Sequence, residues 1–192
     1  MGECVPVPKF SANLSIMFQE VPFLERFGAA ARVGFKAVEF MFPYEYAIAD
    51  LQQALSGNGL QLVLINLPAG NFAAGERGIA VNPVRQEEFR EGVSRAIEYA
   101  RALGVPQINC LVGRTLPDVP VAEQRQALVG NLRFAAERLA DAGIRLLVEH
   151  LNSRDVPGFA LDTTAKVLDV LAEVDHPNAW LQYDMYHAQR ME

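Results

Sequence analysis

The sequence predicts an α/β fold, a TIM (β/α)8-type barrel of which about six βα units are present. Three observations lead there. Short apolar runs with strand character alternate along the whole chain with amphipathic stretches long enough for right-handed crossovers. Polar or ionisable residues (Glu39, Asn66, Asn109, Glu149 and Asp184) stand at or near the C-terminal ends of five of those runs, the rim where such a barrel keeps its chemistry. The first strand-to-helix turn, Ser15 to Glu20, contains no glycine, so the Gly-rich phosphate turn of a doubly wound sheet is missing.

Taken in order, Lys9 to Phe18 reads as the first strand, and Val21-Pro22 opens a helix with Pro in its first turn. Phe23, Phe27, Ala30 and Ala31 share one helix face, and Gly34 stops it. Phe35 to Phe42 is the second strand, with Glu39 near its end; a helix from Ala47 to Ser56 halts at Gly57-Asn58-Gly59. Leu60 to Leu67 is the third strand. The loop Pro68 to Gly78 carries three glycines with Glu76 and Arg77, the composition of a lid or binding loop. Asn82-Pro83 caps a helix whose stripe is Phe89, Val93, Ala96, Ile97 and Ala100, and Gly104 closes it. Pro106 to Val112 is strand four. A long helix follows near Val121 to Ala142 with Leu128, Leu132, Ala135 and Leu139 inward. Ile144 to Glu149 is strand five, Asp162 caps a helix with Val167, Leu168, Leu171 and Val174 inward, and Asn178 to Asp184 is strand six.

With 51% hydrophobic and 21% charged residues, the chain can bury a full core as one domain over 1–192. A net charge of −6 without any basic run excludes a nucleic-acid-binding surface. No run approaches a membrane span, and Met1 to Lys9 lacks the apolar stretch of a signal peptide. Gly2 opens no myristoylation motif, since Pro6 stands where Ser or Thr is wanted. Cys4 and Cys110 form no zinc spacing and read as free thiols, with Cys110 in the core. A cytoplasmic location is the expectation. Length conflicts with the fold: eight units take ~250 residues and the chain has 192, so the barrel is expected to be C-terminally incomplete. If the chain ends at Glu192, open sheet edges would favour a homo-oligomer.

The chemistry centres on IRLLVEHLNSRD, Ile144 to Asp155. A strand buried on both faces that ends in Glu149 leaves a carboxylate that must be paired, protonated or bound to a cation. Trp180 to Tyr183 repeats the pattern into Asp184, with His187 in the next turn. Two carboxylates at successive strand ends predict one shared metal or acid/base site, which requires the carboxyl groups to lie within about 6 Å of each other. The competing reading of each is a structural ion pair with an arginine, and His187 could be a first-turn helix residue satisfied by Asp184. Glu39 could orient other side chains or touch substrate. Asn66 and Asn109 either belong to the site at the rim or, slightly favoured, satisfy loop backbone, and His176 is read as a turn residue on the opposite rim.

ANLSIMF with VPFLERF, INLPAGNFAAGERG, VEHLNSRDVPGF with LDT, and LQYDMYHAQRME resemble the hydroxypyruvate isomerase family of sugar-isomerase-like TIM barrels. The wider superfamily includes ketose 3-epimerases, xylose isomerase and metal-dependent apurinic endonucleases. The resemblance implies a divalent metal, Mg²⁺ or Mn²⁺, held by a strand-five Glu, matched by Glu149, and a strand-six Asp, matched by Asp184. The family's remaining ligands, on strands seven and eight, lie beyond Glu192. It further implies that Glu149 is the catalytic acid or base and that Asp155 and His187 bind substrate hydroxyl or carbonyl groups. Arg77, or less favourably Arg154, would bind the carboxylate of a small 2-oxo acid. His150 departs from the family, where Pro is common. The expected activity is interconversion of hydroxypyruvate and tartronate semialdehyde, or of a close 2-oxo acid such as a 2-oxo-tetronate. A truncated or inactive barrel without turnover and a ketose 3-epimerase are the alternatives.

Overall fold

In the computed structural model, which describes residues 8–192, strands and helices alternate as the periodicity predicts. Cys4 and the leader up to Val7 lie outside the described residues. The strands are β1 (Ser11–Asn13), β2 (Ala37–Glu39), β3 (Gln61–Asn66), β4 (Gln107–Cys110), β5 (Arg145–Glu149) and β6 (Ala179–Gln182). The helices are α1 (Phe23–Arg32), α2 (Ile48–Gly57), α3 (Gln86–Leu103), α4 (Val121–Asp141), α5 (Thr164–Val174) and α6 (Met185–Met191). All strand pairs are parallel, in the order β1-β2-β3-β4-β5-β6, and among the described residues β1 and β6 each pair on one side only. The sheet is therefore an open stretch of barrel wall.

Alternation of side chains across each strand sorts the sequence into two layers. Ala12, Val38, Ile65, Ile108, Leu146 and Val148 are fully buried in the hydrophobic core. Phe27, Ala30, Leu51, Phe89, Val93, Ala96, Leu132 and Leu139 join the same core from the helices, as the apolar stripes predict. On the other face of the sheet, Asn13, Glu39, Asn66, Glu149 and Gln182 line one cavity. Register brings these polar positions level: Asn13 pairs with Glu39, Asn66 with Asn109, and Glu149 with Gln182. Gly104 ends α3 in the left-handed region with φ 69°, as its position after the last apolar residue implies.

Local departures from the sequence reading have visible causes. β1 is three residues long, where Lys9 to Phe18 was expected, because the chain turns immediately after Asn13. Its carbonyl accepts from Ile16 and Met17 N–H, and its side chain accepts from Ser15 N–H. Thr163, and not Asp162, caps α5 by accepting from Lys166 N–H, while Asp162 pairs with the Lys166 ammonium at 2.6 Å. Leu168 is exposed, and Val170 takes the inward place with Val167 and Val174. β6 stops at Gln182, so Asp184 belongs to the N-cap of α6.

Candidate active site at the strand ends

The loop Pro68 to Gly78 is fastened and forms one wall of the cavity. Gly78 has φ 108°, and a Cβ there would lie 1.8 Å from the Leu111 carbonyl oxygen just beyond β4. Only glycine permits that approach. Gly113 (φ 113°) meets the Gly78 carbonyl in the same way, and Gly78 N–H donates to Ala69 O. Glu76 anchors the loop by accepting from Asn71 N–H and pairing with Arg85. Arg77 is left to line the cavity, its guanidinium 4.0 Å from the Phe72 ring centroid and one Nη donating to the Phe72 and Glu76 carbonyls.

The cavity, about 270 Å³, is also lined by Glu39, Glu149, Gln182, Asp184 and His187. Ligand atoms of Glu149, Asp184 and His187 all lie within 4.8 Å of one another, inside the separation that a shared cation requires. Neither carboxylate forms an ion pair with an arginine among the described residues. Glu149 is 7% exposed and accepts from Asn109 Nδ2 at 3.0 Å. Asn109 thus holds the carboxylate with its side chain, where loop backbone was its expected partner. Burial, and then the negative charge of Asp184, push the Glu149 carboxyl up to about 8, against hydrogen bonds from Gln182 and Asn109 that favour the ion. Two carboxyl groups this close can share a proton or a cation.

Asp184 Oδ1 accepts from Tyr186 and His187 N–H, which starts α6 and aims His187 at the cavity. Burial lowers the His187 imidazole below its usual value, partly offset by Asp184. Asp155 does not line the cavity. Its Oδ2 accepts from Tyr186 Oη (2.6 Å) and Asn152 Nδ2 (2.9 Å), and Arg190 approaches its Oδ1 at 3.3 Å. Arg154 is exposed and does not line the cavity either. Glu39 accepts from Ser11 Oγ and Asn13 Nδ2, one donor to each oxygen. His150 is fully buried, its ring 6.3 Å from that of His187, with neither ring nitrogen hydrogen-bonded among the described residues. Cys110 is a buried free thiol, as expected, and burial pushes it up to about 12. His176 accepts from Asn178 N–H within its turn.

Sequence reasoning did not single out Gln182 or Asn152. Two-residue periodicity could have found Gln182, which stands two positions before Asp184 and so falls on the same face. For Asn152 the signal was the Asx pattern toward Asp155, whose N–H its Oδ1 accepts.

A family model described as xylose isomerase-like TIM barrel matches residues 27–192. Hydroxypyruvate isomerase of Escherichia coli (strain K12) is 53% identical over 184 residues, which make up 96% of this chain and 71% of that protein. A 2-oxo-tetronate isomerase of Cupriavidus necator is 44% identical over 97% of this chain and 72% of its own. The crystal structure of an AP endonuclease, family 2, from Brucella melitensis superposes with a TM-score of 0.94 at 42% identity, covering 97% of this chain and 72% of that one. The fold, the rim and these likenesses agree: the chain belongs to the hydroxypyruvate isomerase family of xylose isomerase-like TIM barrels, a family of isomerase-class enzymes.

Proposed function

We propose that the protein interconverts hydroxypyruvate and tartronate semialdehyde, or a close 2-oxo acid such as 2-oxo-tetronate, by moving a proton between adjacent carbons. The observation that carries this reading is Glu149: a buried carboxyl pushed up to about 8, beside a second carboxylate, in a cavity of about 270 Å³. A carboxylate held at the cavity wall beside the carbon acid can take a proton from carbon and return it. The volume suits an acid of three or four carbons.

In this mechanism Arg77 holds the substrate carboxylate, its guanidinium steadied by Phe72 and by the loop carbonyls. That cation in the wall favours an acid over a neutral ketose. Glu149 removes the proton from C3 of hydroxypyruvate. The electron pair moves into a C2–C3 double bond to give the enediolate; delivery of a proton to C2, with the O3 hydroxyl proton passing to O2, completes the aldehyde. His187 hydrogen-bonds the carbonyl oxygen as charge develops there. Asn109 and Gln182 keep Glu149 aimed into the cavity. The donor set of two carboxylates fits a hard divalent cation, Mg²⁺ or Mn²⁺, with Glu149 and Asp184 as its holders. When bound, such an ion supplies positive charge to the enediolate oxygens.

Proton NMR of hydroxypyruvate with the purified protein and Mg²⁺ in D₂O tests the reading. The expected result is an aldehyde resonance with deuterium at C2 of the product, both abolished by Glu149→Gln. Unchanged hydroxypyruvate over hours at micromolar protein would overturn the activity. Calorimetric titration without any Mn²⁺ or Mg²⁺ binding would remove the cation from it.

A further inference from the structure

We infer that Asn152 is a positioning residue that fixes the His187 imidazole as its Nε2–H tautomer, making His187 a hydrogen-bond donor to substrate and not a third cation ligand. The inference deepens the reading above and rests on it for the identity of the acceptor. Its geometry stands apart from that reading. The backbone N–H of Asn152 points at His187 Nδ1 at 3.1 Å, and a backbone N–H can only donate. Nδ1 is therefore an acceptor and carries no proton.

The Asn152 side chain agrees independently. Its Oδ1 accepts from Asp155 N–H at 2.9 Å, which fixes the orientation of the amide. Its Nδ2 then faces both Asp155 Oδ2, at 2.9 Å, and His187 Nδ1, at 2.7 Å. Two donors converge on one ring nitrogen. In a neutral imidazole the proton then resides on Nε2, the nitrogen left for the cavity that His187 lines. Coordinating a cation through Nε2 would force the proton onto Nδ1, against both Asn152 donors. Asn152 is itself fully buried and is aimed by Asp155, which Tyr186 and Arg190 hold from the outside. Asp155 thus acts on His187 through Asn152.

The test is a long-range ¹H–¹⁵N imidazole spectrum of the labelled protein, with His187 assigned by comparison with His187→Gln. The expected pattern is Nε2–H with an unprotonated Nδ1, retained after addition of Mg²⁺. An Nδ1–H pattern, with or without Mg²⁺, would overturn the inference while leaving the isomerase proposal intact. Conversely, the Nε2–H pattern in a protein that does not isomerise would sink the proposal above and leave the tautomer assignment standing. In Asn152→Asp, which keeps the Oδ1 acceptor and the backbone donor but turns the Nδ2 donor into a carboxylate oxygen facing Nδ1, that new acceptor competes with the backbone N–H and the tautomer should shift toward Nδ1–H. There kcat should fall about 10- to 100-fold, the size usual for residues that orient a site group, with KM within about 3-fold. A variant with unchanged imidazole signals and unchanged kcat would count against the assignment. The wild-type spectrum decides even if that variant does not fold.

Discussion

Glu39 and Glu149 are the same residue type at the same kind of place, the C-terminal end of a strand facing one cavity, yet their surroundings differ. Glu39 sits between two neutral donors from β1, Ser11 Oγ at 3.0 Å and Asn13 Nδ2 at 3.1 Å. Glu149 is more deeply buried and has a second carboxylate, Asp184, for a neighbour. Strand-end position alone thus does not decide a carboxyl's part; on the proposed reading Glu149 is the reactive one because burial and a neighbouring carboxylate bear on it.

The sharpest way to break this comparison is to remove each charge in turn. Glu149→Gln should lower isomerase turnover by 10³-fold or more, the upper part of the range for a lost acid/base, while Glu39→Gln should cost less than about 10-fold. Equal losses in the NMR assay would erase the distinction. Next in size, Asp184→Asn keeps a good helix cap yet loses a charged oxygen. Mn²⁺ affinity measured by calorimetry should drop at least about 10-fold with little change in melting temperature of the metal-free protein.

Stability against pH sharpens the same contrast. The Glu149 carboxyl goes from 4.5 when unfolded up to about 8 when folded, so over that window the folded state holds more protons. Its contribution to stability is therefore lost as pH rises, by up to about 1.4 kcal/mol per pH unit between those values. Metal-free protein should melt lower at pH 8 than at pH 5.5, relative to Glu149→Gln, and Mn²⁺ should remove the difference. A pH-independent gap between wild type and variant would contradict the assignment. Smallest of all, Ser11→Ala deletes one donor to Glu39 and should cost about 1 kcal/mol in denaturant unfolding, with turnover nearly intact.

Much of this was legible before any coordinates. Apolar runs, their spacing and the glycine stops gave the order of strands and helices, because each signal depends on residues close in sequence. The lengths of β1 and β2 were not legible, since the partner strand and the turn after Asn13 decide where pairing ends. Glu149 and Asp184 stood out as charges following buried strands. Asn109 was placed on the rim but not on Glu149, and Asn152 was not singled out, because their partners lie 40 and 35 residues away and nothing local distinguishes an Asn that grips a distant carboxylate or imidazole from one that seals a turn.

The backbone contact between Gly78 and Gly113 has a consequence for recognition. With neither residue carrying a side chain, the loop and the end of β4 meet main chain to main chain, like a riveted seam. On the proposed reading, in which Arg77 takes the substrate carboxylate, its guanidinium is then ready before any acid arrives, and capture does not have to freeze a swinging segment. Selectivity at this wall resides in a shape set when the chain folds.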